Sequence, residues 1–341
     1  MNSVYINGIG VLSRCAKNVQ ELENICAQKE IVCEEGKLDF STTVPSSKLR
    51  RASRYNKLLV AAAEQAKIDG ALPEDTDKYR IGTIISSGYG AVESNIQFSD
   101  SVAKKNPALC SPTVFSGTVP NACVGQLCIL NGYKGVSTIL MGGDIFEYTS
   151  LLLNTQKADV VFCGSIEEYS EELVESVDKM GILGKDQIAE GCAVLLMERE
   201  KNDNTYCKLS EFGSASFGKS PYIYSIEEKV LQATIEDAVK MACKDKKPDV
   251  VFTSANGSSF DDVELSVLKK IFGEDIVYIT PKKWFGETFG SGYALSLSLG
   301  AIVLKKNMLP YEIERRIEKL SNILVTGIDG MGNYMCAWLE A

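Results

Sequence analysis

Short runs of β-branched and aliphatic residues that end in Gly or Ser alternate along this chain with segments of helical period. Residues 4–8, 81–87, 137–141, 159–163 and 192–197 read as strands, and 19–27 and 57–66 as helices. The pattern restarts after about residue 205. There Ser225-Ile-Glu-Glu228 has capping-box spacing and opens a helix through 244, with apolar residues near 226, 230, 235, 239 and 242. Strands over 249–254, 276–280, 322–326 and 335–339 and helices over 262–272 and 293–304 follow. Alternation of this kind predicts α/β architecture with mostly parallel sheets, because parallel pairing needs crossover connections. Each half closes on two consecutive strands, the mark of a duplicated fold, which divides the chain into 1–204 and 205–341 packed as one rigid unit.

Composition narrows the chemistry. The 341 residues are 45% hydrophobic and 24% charged, an ordinary globular balance that excludes collagen, coiled coil and disordered tail. Against 36 Lys and Arg stand 45 Asp and Glu, a net charge of −9 that argues against nucleic-acid binding and against an anionic membrane as partner. The count of histidine is zero, so this chain alone has no imidazole for a Ser-His or Cys-His dyad or for a metal. The 11 cysteines include no C-x-x-C pair, and Cys128, Cys163, Cys192 and Cys336 sit in apolar runs as small hydrophobes. No metal and no cofactor are therefore expected. Residues 1–8 lack the basic start and apolar core of a signal peptide, and no apolar stretch reaches the roughly 20 residues of a membrane span. A reducing cytoplasm is the expected location.

Three local constellations invite a ligand. Gly8-Ile-Gly10-Val-Leu-Ser13 is a near miss to a dinucleotide fingerprint with Ser for the third glycine, and reads by default as a tight strand-end turn. Lys48, Arg50, Arg51, Arg54 and Lys57 form the densest basic cluster, suited to a phosphate, an acidic partner or a solvated helix start. Ser86-Ser-Gly-Tyr-Gly90 closes a strand with a turn of the kind that offers backbone N–H groups.

Motifs in order along the chain carry a resemblance. The start Val4-Tyr-Ile-Asn-Gly-Ile-Gly-Val11, then Arg50-Arg-Ala-Ser-Arg-Tyr55 and Ile81-Gly-Thr-Ile-Ile-Ser-Ser-Gly88 are followed by Glu190-Gly-Cys-Ala-Val-Leu-Leu-Met-Glu198, Lys282-Lys-Trp-Phe-Gly286 and Gly330-Met-Gly-Asn333. Together with Pro120-Asn-Ala-Cys-Val-Gly125 and Ala158-Asp-Val-Val-Phe-Cys-Gly164, they make the whole chain resemble the β-ketoacyl synthase family of the thiolase-like fold. The resemblance implies a duplicated α/β/α/β/α layered fold.

It also exposes an absence. A working member carries a Cys on a sharp strand-to-helix turn and two histidines beside it. Counting forward from Lys134-Gly135 puts the Cys position at Asp144; counting back from Ala158-Asp159 gives Ile139, and neither is Cys. The first histidine's motif appears as Asn256-Gly-Ser-Ser-Phe260, and the second histidine's place, after the retained Lys282, is Glu287. A carboxylate holds no transferable thioester, and an ionised Glu287 would repel an enolate. Asp144-Ile-Phe-Glu147 has helix-capping spacing, and Lys282 is expected in an ion pair with Glu287 or Asp262.

A member without its nucleophile resembles the chain-length factors. These are inactive copies that pair with an active ketosynthase in type II polyketide or polyene synthesis, although they usually carry Gln at the Cys position. The resemblance implies a heterodimer in which Phe146, Tyr148, Trp284 and Met331 shape the acyl tunnel. An acyl carrier protein would dock on Arg50, Arg51 and Arg54. Two rival expectations are an acyl-thioester decarboxylase or hydrolase built on Asp144, Glu287, Asn256 and Lys282, and a scaffold that binds the carrier alone.

Overall fold

The structure is a computed structural model that describes residues 3–28, 30–104 and 110–341. Met1 and Asn2 of the N-terminal stretch read above lie outside the described residues. Strands of the first half are β1 (Val4–Leu12), β2 (Ile81–Ser86), β3 (Ser137–Leu140), β4 (Val160–Glu167) and β5 (Gly191–Glu198). Those of the second are β6 (Cys207–Ser216), β7 (Val250–Phe252), β8 (Val277–Ile279), β9 (Asn322–Ile328) and β10 (Asn333–Glu340). They join in one sheet of order β3-β2-β4-β5-β1-β6-β10-β9-β7-β8.

That order reads the same from either edge. In each half four strands share a direction and one opposes them: β5 runs against β1 and β4, and β10 against β6 and β9. The halves meet where β1 pairs antiparallel with β6 through Val4–Leu209, Tyr5–Lys208 and Ile6–Cys207.

Among the described residues the helices are α1 (Val19–Ala27), α2 (Arg54–Asp69), α3 (Val92–Lys104), α4 (Pro112–Ser116), α5 (Ala122–Asn131), α6 (Ile145–Asn154), α7 (Glu171–Lys179), α8 (Glu228–Cys243), α9 (Phe260–Phe272), α10 (Lys282–Phe285) and α11 (Gly292–Lys306). Three buried clusters define the layers. One lies between α2, α5 and the outer face of the first half, and another between α8, α9 and the outer face of the second. The third lies inside, where α6 and α11 meet strands from both halves. The result is the expected α/β/α/β/α stack. Helix α11 is apolar on every side, which suits a central layer packed against β5 on one flank and β9 on the other. Its buried Ser296 and Ser298 donate their hydroxyls back to the Gly292 and Ala294 carbonyls, so neither is left unsatisfied.

Close helix-on-strand contact explains the glycines read as a near-miss fingerprint. Gly8 and Gly10 lie inside β1, not in a turn. A Cβ on Gly10 would fall 1.8 Å from the Ala62 carbonyl oxygen of α2. The second half repeats the device: a Cβ on Gly213 of β6 would fall 2.0 Å from the Ala238 carbonyl oxygen of α8. Nothing in this arrangement addresses a nucleotide.

The helix expected to open at Ser225 begins three residues later. Tyr224 and Ile223 donate to the Ser220 carbonyl in a preceding turn, and Glu227 stands at the helix start without a side-chain cap. No helix among the described residues is long and apolar enough to cross a membrane.

The glycine contacts yield a stability prediction. Gly10→Ala forces α2 off β1 and lowers the unfolding free energy by about 3 kcal/mol. Gly125→Ala, in α5 with no neighbour near its Cβ position, raises it by about 0.5–1 kcal/mol. Denaturant midpoints of the two variants check both signs.

Candidate functional site

At the end of β3 the chain turns sharply into α6 through Gly142 (φ 94°) and Gly143 (φ 87°), both in the left-handed region. A Cβ on Gly142 would lie 2.7 Å from Oδ2 of Asp329, and the Gly143 N–H donates to that same oxygen at 2.7 Å. Asp329 sits in the loop between β9 and β10. Its carboxylate also accepts from the N–H groups of Met331 and Asn333 and from Asn333 Nδ2. One carboxylate thus straps the first half's turn to the second half's loop.

Asp144 is the residue at the strand-to-helix turn, and Ile139 lies inside β3. Asp144 caps α6: Oδ1 accepts from the N–H groups of Phe146 (2.9 Å) and Glu147 (3.2 Å). Oδ2 is buried without a partner. Burial pushes the carboxyl pKa up to about 7, and the two backbone donors pull only partly against it. Cys163 of β4 is fully buried beneath α6, with Sγ 3.7 Å from the Ile145 carbonyl oxygen. Its desolvation raises the thiol pKa steeply, which suits packing and not attack.

Space at this turn is small. The cavity bordered by Ser86, Gly142, Phe146, Tyr293, Met331 and Met335 holds about 20 Å³, room for little more than one water. Phe146 is fully buried and meets Tyr293 edge-on at 5.6 Å, occupying the space behind the turn. The other expected tunnel residues divide. Met331 borders this cavity from a 61% exposed position. Tyr148 lies on the exposed face of α6, one turn beyond Asp144. Trp284 is buried in α10 beside Arg14 and Lys283: Arg14 Nε donates to its carbonyl, and Lys283 Nζ lies 4.1 Å from its ring centre. Neither Tyr148 nor Trp284 faces the turn's cavity, because the helical period and the α10 turn aim them elsewhere.

The other three expected site residues come together without a hydrogen bond to Asp144. Asn256 follows β7, Lys282 opens α10 after β8, and Glu287 lies in the loop from α10 to α11. Glu287 Oε2 accepts from Lys282 Nζ at 2.7 Å and from Asn256 Nδ2 at 2.7 Å, and Oε1 accepts from the Phe289 N–H at 2.6 Å. All three side chains are buried, at 8%, 6% and 2% exposure for Asn256, Lys282 and Glu287. They back onto a polar cavity of about 460 Å³ shared with Arg14, Cys33 and Asp186. Of the two expected partners of Lys282, Glu287 is the one it meets. Among the described residues no cluster of His, Cys, Asp and Glu is arranged to hold a metal.

The remaining constellations resolve into internal contacts. The N–H groups of the turn at Ser86 to Gly90 face a protein carboxylate: Gly88 and Tyr89 donate to buried Glu167, as do Ser87 Oγ and the Gly290 N–H. Burial raises the Glu167 pKa to about 7 despite these donors. Arg54 is not a free docking cation, since its guanidinium grips buried Glu190 and the Leu38 carbonyl. Arg50 and Arg51 remain exposed and unpaired. Asp329 and Glu167 escaped the sequence reading. Asp329 adjoins the glycine-rich Gly330-Met-Gly-Asn333, and Glu167 ends a strand longer than its apolar run.

No protein-family model matches the chain. It is 21% identical over 345 residues to "3-oxoacyl-[acyl-carrier-protein] synthase 2" of Rhizobium meliloti (strain 1021), covering 86% of this chain and 80% of that protein. Among solved structures, the ketosynthase ApeO in complex with its chain length factor ApeC from Xenorhabdus doucetiae matches with TM-score 0.81 at 17% identity, over 100% of this chain and 98% of that one. The AntDE:AntF structure, a type II polyketide synthase acyl-carrier protein in complex with its ketosynthase bound to the hexaketide, matches with TM-score 0.78 at 16% identity, over 100% and 99%. The fold is therefore the thiolase-like fold of the ketosynthases, and the sequence is similar to 3-oxoacyl-carrier-protein synthases over most of its length.

Two measurements test the electrostatics. A carboxyl whose folded pKa lies above its ordinary 3.8 binds more protons folded than unfolded, so its contribution to stability falls as pH rises from about 4 to about 7. Asn keeps the cap without the charge, so the stability of Asp144→Asn relative to the parent is expected to climb across that window. A flat difference between pH 4 and pH 8 contradicts the buried carboxyl. Separately, Lys282→Met strands Glu287 and is expected to cost about 3 kcal/mol, part of which Lys282→Met/Glu287→Gln restores; urea titrations read both.

Proposed function

We propose that this chain, which has the ketosynthase fold, is a catalytically degenerate, chain-length-factor-like subunit. In this reading it pairs with an active ketosynthase and shapes the acyl tunnel in a polyketide, polyene or fatty-acid-like synthesis. The observation that carries the reading is the turn itself. Asp144 stands where an acyl-carrying thiol is needed, its Oδ1 is engaged on the first turn of α6, and the cavity beside it is nearly filled. The remaining centre supports the same conclusion. Glu287 presents a carboxylate, held by Lys282 and Asn256, where condensation needs donors for a developing oxyanion.

The sheet edges support pairing. Edge strand β8 is covered, with Val277 and Ile279 at 7% and 2% exposure. Edge strand β3 is open, and apolar side chains stand exposed on the elements around it: Ile129 in α5, Met141 at the turn and Leu151 in α6. An open edge rimmed by apolar residues is a template for another chain. Of the three arginines expected to receive an acidic carrier protein, Arg50 and Arg51 stay exposed and unpaired. The rival carboxylate enzyme finds less support, since Asp144 has no bond to the Asn256, Lys282 and Glu287 cluster.

Co-expression with a ketosynthase that has an intact Cys and two His is expected to give a heterodimer by size-exclusion chromatography and native mass. A chain that stays monomeric or pairs only with itself defeats the reading. Asp144→Cys is expected to leave condensation by the chain alone at zero, because no imidazole and no free oxyanion donor set accompanies the new thiol. Elongation of a malonyl-primed chain by that variant would contradict it.

A further inference from the structure

Just past β1 the chain makes a tight turn. Ser13 and Ala16 exchange backbone hydrogen bonds at 2.7 and 3.2 Å, which leaves Arg14 and Cys15 as its two central residues. The segment after α1 returns to this turn, and the Glu34 N–H donates to the Arg14 carbonyl at 2.7 Å. Two peptide units are thereby bonded to each other, one joining Arg14 to Cys15 and the other Cys33 to Glu34. Standard backbone dimensions keep the Cα atoms of Cys15 and Cys33 within about 8 Å across that bond. A disulfide spans about 4.4–6.8 Å between Cα atoms, so a small closing movement suffices.

The two side chains share one neighbourhood. Cys33 Sγ lies 3.6 Å from the Trp284 carbonyl oxygen, which also accepts from Arg14 Nε at 2.9 Å. Cys15 Sγ lies 3.5 Å from Ser13 Oγ, and it feels both Cys33 and Arg14, the first holding its pKa up and the second pulling it down. Of the 11 cysteines Cys33 is the exposed one, and Cys15 is buried, which gives one entry thiol and one resolving thiol. The reduced segment is loosely held. Glu34 pairs with Lys17 through side chains 37% and 31% exposed, a contact worth little at a surface. Cys33, Glu34 and Glu35 also line the polar cavity behind Lys282 and Glu287.

We propose that Cys15 and Cys33 form a reversible disulfide that fastens this segment to the turn after β1 and fixes one wall of the polar cavity. With a small-molecule disulfide as oxidant, the Cys33 thiolate attacks one of its sulfurs and expels the other as a thiolate. The Cys15 thiolate then attacks Cys33 Sγ, forming the Cys15–Cys33 bond and expelling the second small thiolate. The two protons lost by the protein end on the two small thiols, so one disulfide is reduced as another forms. Burial raises both thiol pKa values, Cys15 to about 12, so closure is slow at neutral pH and quickens as pH rises. In a reducing location the pair stays open, and an oxidising shift closes it. The reaction needs no ketosynthase partner, so its failure leaves the pairing reading standing.

The test is incubation of the chain alone with oxidised glutathione at pH 7 and pH 8, read by intact mass and non-reducing peptide mapping. The parent is expected to lose two hydrogens, about tenfold faster at the higher pH, with the Cys15 and Cys33 peptides joined. Dithiothreitol is expected to restore them. Cys33→Ser, at an exposed position, is expected to keep its mass, and Cys15→Ser to stop at a glutathione adduct on Cys33. The oxidised parent is expected to unfold at a higher urea midpoint than the reduced parent, with no such shift in Cys33→Ser. An unchanged parent mass, a lasting glutathione adduct on Cys33 in the parent, or a disulfide joining any other pair would each overturn the assignment.

Discussion

A carboxylate taken out of water must be paired or protonated, and Glu287 is paired on every side. One oxygen takes Lys282 and Asn256, and the other takes the Phe289 backbone. That constraint sets the rest of the centre. Lys282 cannot leave without stranding a buried charge, and Asn256 cannot turn toward a substrate without giving up its bond. Asp329 plays the same part for the turn, tying Gly143 to the loop between β9 and β10. The centre is thus held by carboxylates with fixed internal partners, an arrangement suited to holding shape.

The fold was legible to the extent that its signals were periodic. The strand and helix alternation, the paired closing strands of each half and the apolar α11 all follow from side-chain pattern, and helix α1 falls where its spacing put it. The glycines of β1 were misread because a glycine demanded by a helix backbone 1.8 Å from its Cβ position looks, in sequence, like one demanded by a turn. The mirror order of the ten strands is set by contacts across the β1–β6 seam, which no local pattern encodes. Strand β6 went unread because polar and small residues interrupt its apolar period.

At the site, residue types were legible and partnerships were not. The zero count of histidine and the Asp at the turn needed no coordinates, and the Asp144 cap follows from its spacing to Phe146 and Glu147. Arg54 looked like its neighbours Arg50 and Arg51, yet only the folded chain brings Glu190, 136 positions away, onto its guanidinium. Trp284 and Tyr148 were grouped with Phe146 by size and position, whereas direction separates them: Phe146 points inward at Tyr293, Tyr148 outward on the same helix. Long-range pairing and side-chain direction are tertiary facts, and those are where the sequence reading ran out.

Whether any acyl group ever becomes bonded to this chain is the most direct question the account can be asked. Intact-protein mass spectrometry after incubation with an acyl thioester, with the chain alone and mixed with an active ketosynthase, answers it. The account predicts an unchanged mass for this chain in both samples and an acyl adduct on the ketosynthase alone. A stoichiometric acyl adduct mapped to this chain, at the turn into α6 or at any cysteine behind it, would contradict it.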